Sequence, residues 1–199
     1  MAFETDAWSF IRGDQDPDLV EAIIGGELNL AQCPHCSVFF FAECPMVYLD
    51  KKSELLAFIF PQSYAREKEK WQKKMQDDFK ILQEGLFKEM KIDYEPILLF
   101  GPQSIKKLLK DERDIQEEVE VINCLADELG LKIQPVKPSR ARKNGFSYTL
   151  PYEGEKCNTK SALSASHKIL KGHSKLKSLS KLVHCCEKEE LEVSSLICK

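Results

Sequence analysis

The chain has 199 residues, 43% of them hydrophobic and 31% charged, with a formal net charge of −3. That length fits one domain, or one domain with an appendage. The apolar content supports a core and excludes wholesale disorder, and so small a net charge selects no partner. The longest apolar run, Leu55 to Pro61, is far too short to span a bilayer, so no membrane partner is expected. The start carries Glu4 and Asp6 without a basic stretch, which reads as the absence of a secretory signal. A cytoplasmic setting follows, in which thiols stay reduced. Eight cysteines, at 33, 36, 44, 124, 157, 185, 186 and 198, then point to metal before disulfides.

Charge is unevenly spread. Residues 1–60 carry three basic and ten acidic side chains, whereas residues 137–184 carry eleven basic and two acidic ones. This asymmetry suggests an acidic N-terminal unit, a helical middle and a basic C-terminal appendage.

In chain order, Phe3 to Ile11 reads as a strand and Gly13-Asp14-Gln15 as a turn. Asp16-Pro17 opens a helix, with Asp16 placed to accept from free backbone N–H groups and Pro17 suited to the first helical position. Leu19, Val20, Ile23 and Ile24 follow at helical spacing, and Gly25-Gly26 ends the helix. Leu28–Gln32 and Val38–Phe41 read as strands flanking Cys33-Pro34-His35-Cys36. Met46–Leu49 and Leu55–Phe60 read as two more, joined by a polar hairpin loop at Asp50–Ser53. The first sixty residues therefore predict a small antiparallel sheet with one short helix.

From Ser63 to Lys91 the period changes. Trp71, Met75, Phe79, Leu82, Leu86 and Met90 recur every three or four residues, one face of a long helix that reads as core or helix contact. Glu95-Pro96 breaks it, and Ile97–Phe100 reads as a short buried strand. Ile105, Leu108 and Leu109 suggest a short helix. Asp114-Ile115-Gln116-Glu117 has the pattern of a capping box opening another helix, which Gly130 closes. Leu131–Ile133 and Gly145–Tyr152 can each form a strand, with a basic linker around Arg140, Arg142 and Lys143 between them. The Ser- and Lys-rich remainder reads as a partly disordered tail with loose helical spacing at Leu163, His167, Leu170, Leu176, Leu179 and Val183.

The chemistry concentrates at Cys33-Pro34-His35-Cys36. Two cysteines three apart in a tight turn can aim both sulfurs at one ion, while backbone N–H groups of the turn stabilise the thiolates. Tetrahedral zinc needs two more ligands, usually from a second such turn. No second Cys-x-x-Cys exists in the chain. Cys44 is the obvious third ligand if the intervening strand bends back; otherwise it is a small hydrophobe on a strand. His35, inside the turn, reads as a bystander pointing to solvent.

The stretch from Asp16 to Asn29, followed by Cys33-Pro34-His35-Cys36, resembles the CpXC domain of prokaryotic proteins. Cys44-Pro45-Met46-Val47-Tyr48-Leu49-Asp50, Phe60-Pro61 and Leu99-Phe100-Gly101 fit the same pattern, so the resemblance covers roughly residues 6–130. The family is named for two Cys-Pro-x-Cys motifs, which implies a shared zinc-type site. Here the first motif, expected upstream of Trp8, is absent, which fits either a chain that starts late or a motif that was lost. Ser37 stands where such turns usually carry glycine, and Cys44 stands where another residue type is expected.

Other chemistry is weaker. His167, His173, His184, Cys185 and Cys186 lack the regular paired spacing of a zinc site and read as solvated. No Gly-rich phosphate loop, G-x-S-x-G or H-E-x-x-H occurs. The expected fold class is α+β. A small antiparallel zinc-ribbon-like sheet (1–61) and a helical section (62–134) form one domain. A basic linker and strand (135–152) and a Ser/Lys-rich tail (153–199) follow. The expected function is a non-enzymatic zinc-binding module that engages an unknown macromolecule, with Cys33, Cys36 and Cys44 as candidate ligands. A homodimer sharing one metal would complete the site. The alternatives are nucleic-acid binding through the basic C-terminal third and a metal-less structural relic of the same domain.

Overall fold

The computed structural model describes residues 4–90, 92, 94–188, 193 and 196. Phe3, Lys91 and Cys198, each part of an expectation above, lie outside them. The chain divides into two compact units, Met1–Lys110 and Asp111–Lys199.

The first unit is built on a four-stranded sheet of β1 (Phe10–Arg12), β4 (Met46–Asp50), β5 (Leu55–Phe60) and β6 (Ile97–Phe100), in that spatial order. β4 and β5 form the expected hairpin, with Leu49 opposite Leu56 and Tyr48 opposite Ala57. Asp50 closes its loop by accepting from the Lys52 and Ser53 N–H groups at 2.8 and 3.1 Å. The sheet is mixed rather than antiparallel, because β1 pairs with β4 and β6 with β5 in parallel. Parallel neighbours need a crossover connection, and none of that pairing leaves a local mark in the sequence. Every residue of β5 is buried, because both faces of the sheet are covered.

On one face, Ile11, Tyr48, Ala57 and Ile59 pack with Ile23 of helix α1 (Pro17–Gly25) and with Ile105 and Leu109. Helix α1 starts at Pro17 and ends with Gly26 in the left-handed conformation at φ 82°, as expected; the Asp16 side chain, however, makes no capping bond. On the other face, Leu49, Leu56, Phe58 and Phe60 pack with Met75 and Phe87. The long helix predicted over 63–91 is three pieces: a 3₁₀ turn at Gln62–Glu67, α2 (Lys68–Glu84) and α3 (Leu86–Met90), parted at Gly85. Trp71 stacks on Tyr64 at 4.1 Å between centroids and packs against Phe60 at 5.0 Å, and Met75, Phe79, Leu82 and Met90 join the same core, whereas Leu86 of the predicted stripe is exposed and Phe87 is buried in its place. Gly13 lets the chain leave β1. A Cβ there would sit 2.0 Å from the hydroxyl of Tyr48, a residue only 2% exposed.

A separate antiparallel ribbon joins β2 (Leu30–Gln32) to β3 (Phe39–Phe41) and carries the Cys-Pro-His-Cys turn at its tip.

The two helices predicted around Ile105 and Asp114 are one helix, α4 (Pro102–Glu128), and the boundary between the units falls within it. Asp114 and Glu117 lie in its interior rather than at a cap, since no glycine or proline interrupts the chain there. In the second unit, β7 (Lys132–Pro135) pairs antiparallel with β8 (Thr149–Tyr152), and α5 (Pro138–Arg142) lies between them in sequence. The predicted linker is thus structured. Arg142 donates to Glu112 through Nε at 2.6 Å and Nη2 at 3.0 Å, and the Tyr148 hydroxyl donates to the same carboxylate at 2.7 Å. Burial, then the neighbouring carboxylate, raise the Tyr148 phenol well above its ordinary range.

The predicted tail folds over its described part into α6 (Thr159–Gly172) and α7 (Lys177–Glu187). Asn158 and Ser161 form a capping box at the start of α6. Glu118 accepts from the Lys177 and Ser178 N–H groups at 2.9 and 2.7 Å, satisfying free donors at the start of α7. Ala162, Ala165 and Ile169 of α6 and Leu179, Leu182 and Val183 of α7 are buried. The apolar spacing is thus sufficient for two packed helices, although serine and lysine dominate the composition.

Candidate metal centre

The ribbon builds its tip from backbone bonds. Cys33 N–H donates to the Val38 carbonyl and Ser37 N–H to the Cys33 carbonyl, both at 2.9 Å. The Gln32 side-chain amide donates to the Ser37 carbonyl at 3.1 Å. Closing so tight a turn puts Ser37 at φ 58°, the left-handed region that favours glycine. The departure noted at this position therefore leaves the turn geometry intact, at a conformational cost.

Within the turn, the Cys33 sulfur receives the backbone N–H groups of His35 and Cys36 and lies within hydrogen-bonding reach of the Cys36 thiol. These contacts, the His35 N–H first, hold the Cys33 thiol below its usual range. Cys36 and His35 are exposed and Cys33 half-buried, so an ion can reach the pair.

The turn thus brings Cys33 and Cys36 together, and places Cys44 elsewhere. The Cys44 thiol donates to the Trp8 carbonyl at 3.8 Å and receives the Asn29 side-chain amide at 3.7 Å. Asn29 itself brackets the Trp8 backbone, donating to its carbonyl at 3.0 Å and accepting from its N–H at 2.7 Å. Cys44 also lines an apolar pocket with Ile23, Leu28, Phe41, Met46 and Ile105. Among the described residues, no three His, Cys, Asp or Glu side chains converge as they would around a metal ion. That includes the C-terminal set: His167, His173 and His184 are exposed, while Cys186 is buried and its thiol raised by burial. His167 instead meets Glu187 at 3.1 Å.

A pair of thiols in one turn, that of Cys33 supported by backbone N–H groups, has the donor type a thiophilic ion such as zinc takes, and would fill two of its four positions. Around them lies a surface the sequence reading missed. Leu30 faces Phe41 and Gln32 faces Phe39 across the ribbon, so these four share one side of it. Phe39 is 63% exposed, Val38 60% and Leu30 40%. The unbroken apolar run Val38 to Phe41 was the available signal, and it cannot tell which side chains are covered.

The protein is of mixed α+β class, with a cysteine turn carried on a ribbon beside its main sheet. The CpXC protein family model matches residues 1–128, and the chain belongs to this family. No curated protein and no solved structure gives a significant match. Among the described residues, no helix is long and apolar enough to cross a membrane.

Proposed function

We propose that the protein is a non-enzymatic metal-binding module, with zinc held at Cys33 and Cys36, that engages another macromolecule in the cytoplasm. The observation that carries this reading is the Cys33 sulfur receiving two backbone N–H groups with the Cys36 thiol beside it on an accessible turn. A two-stranded ribbon on its own is marginal in water. Thiolate ligation would lock this one, the ion standing in for a larger core. Cys44 reaches such an ion only if the segment after β3 leaves Trp8 and Asn29. The exposed apolar side chains next to the turn offer a contact surface.

Nucleic-acid binding through the basic C-terminal third draws less support, because Arg142 is engaged with Glu112 and Lys168 with Glu153. The test is equilibrium dialysis of the reduced protein against zinc, beside the Cys33→Ser/Cys36→Ser variant. Zinc retained by the parent and lost from the variant supports the reading. A parent that retains none, and a variant that unfolds at the same urea concentration, would leave the turn as a metal-less relic.

A further inference from the structure

We infer that Cys33 and Cys36 form a reversible dithiol–disulfide pair, in which the exposed Cys36 sulfur exchanges with a small-molecule disulfide and the half-buried Cys33 sulfur closes the bond within the turn. The inference uses the thiols of the metal reading but requires no ion, so it holds for the metal-free chain. It stands on the build of the turn. The Ser37 N–H donates to the Cys33 carbonyl and the Cys33 N–H to the Val38 carbonyl, both at 2.9 Å. A turn so closed brings its first and fourth residues within about 7 Å between Cα atoms, the limit for a disulfide that forms without backbone movement. Both cysteines are free, and the Cys33 sulfur already lies within hydrogen-bonding reach of the Cys36 thiol. Their exposure divides the roles: Cys36 is open to solvent and Cys33 is half-buried behind it.

The chemistry balances in two exchanges. The Cys36 thiolate attacks one sulfur of the small disulfide; that S–S bond breaks, a mixed disulfide forms on Cys36, and one small thiol leaves. The Cys33 thiolate then attacks the Cys36 sulfur, which forms the Cys33–Cys36 bond and releases the second small thiol. The protein thiols give up two electrons, the small disulfide takes them, and the two protons end on the two small thiols. The His35 and Cys36 N–H groups directed at the Cys33 sulfur stabilise charge on it for the closing attack. Other described thiols lack this arrangement. Cys44 faces the Trp8 carbonyl and the Asn29 amide, and the exposed Cys124 meets Glu128 at 3.9 Å. Cys185 and Cys186 occupy successive positions of α7, whose side chains do not face each other. The sulfurs of a disulfide are no longer thiolates, so the oxidised turn takes no thiophilic ion. Oxidation and metal binding therefore exclude each other here.

The experiment treats the reduced full-length protein with oxidised glutathione in the presence of chelator, so that its outcome does not depend on whether the chain binds zinc. Remaining thiols are trapped with N-ethylmaleimide, and peptides are mapped by mass after cleavage at aromatic residues. Phe39, Phe40 and Phe41 lie between Cys36 and Cys44, so the cleavage parts the turn from Cys44. The expected result is a turn peptide that is untrapped and lighter by two hydrogens, and that regains both thiols in dithiothreitol. It should form at an oxidant concentration roughly tenfold below the one that half-modifies Cys124, because the closing exchange is intramolecular. Cys33→Ser should stop at a mixed disulfide between Cys36 and glutathione. A parent chain that also stops there would overturn the inference. So would a bond from either cysteine to Cys44, or a pair that stays reduced while Cys124 is modified.

Discussion

Replacing Arg142 by methionine tests whether the basic segment after residue 135 is structural. The guanidinium and the Glu112 carboxylate are 9% and 12% exposed and meet at 2.6 Å, with the Tyr148 hydroxyl as a third partner at 2.7 Å. Methionine keeps much of the volume but leaves the carboxylate buried with the phenol alone. Removing one partner of a buried pair costs about 3–5 kcal/mol, because the other charge stays desolvated. With a urea slope of about 2 kcal/mol per molar, the midpoint of unfolding should fall by roughly 2 M. Far-ultraviolet circular dichroism follows it, since α5, α6 and α7 all lie in this unit. Replacing these three together, Glu112→Leu with Arg142→Met and Tyr148→Phe, leaves no buried carboxylate without its guanidinium and should recover most of the loss. A midpoint that moves by less than a few tenths molar in R142M would refute the reasoning and return the segment to a loose linker.

Three further outcomes are expected. Gly13→Ala should destabilise the first unit by about 1–3 kcal/mol, since its Cβ would meet the buried Tyr48 hydroxyl at 2.0 Å; thermal unfolding measures it. Ser37→Gly should stabilise the protein by up to about 1 kcal/mol, the relief of a left-handed residue outweighing the extra freedom of unfolded glycine; urea unfolding without metal reads it. The phenol of Tyr148, raised in the folded state, contributes stability in full below the unfolded value of about 10 and loses it as pH rises from there. Unfolding of the second unit should therefore become easier above about pH 10, and less so in Tyr148→Phe.

What was legible in the sequence was local. Pro17 and Gly26 punctuate α1, the polar Asp50–Ser53 loop marks the β4–β5 hairpin, and Cys33-Pro34-His35-Cys36 announces its own turn. What escaped depends on partners far along the chain. The parallel pairing of Phe10 with Val47 and of Phe58 with Leu98 has no signature in any one segment. Asp114 to Glu117 carries the letters of a helix cap, yet the same letters are good helix interior when nothing breaks the turn before them. Arg142 reads from the sequence as part of a basic linker, because nothing local shows that Glu112 lies against it. At the candidate site, the pair of sulfurs could be read from spacing, whereas the hold of Asn29 and Trp8 on Cys44 could not.

The most direct test of the central claim is X-ray absorption at the zinc edge of the reduced, zinc-loaded protein. Ligation by Cys33 and Cys36 predicts at least two sulfur neighbours at about 2.3 Å, lost in the Cys33→Ser/Cys36→Ser variant. A shell of oxygen and nitrogen alone, unchanged in that variant, would contradict it.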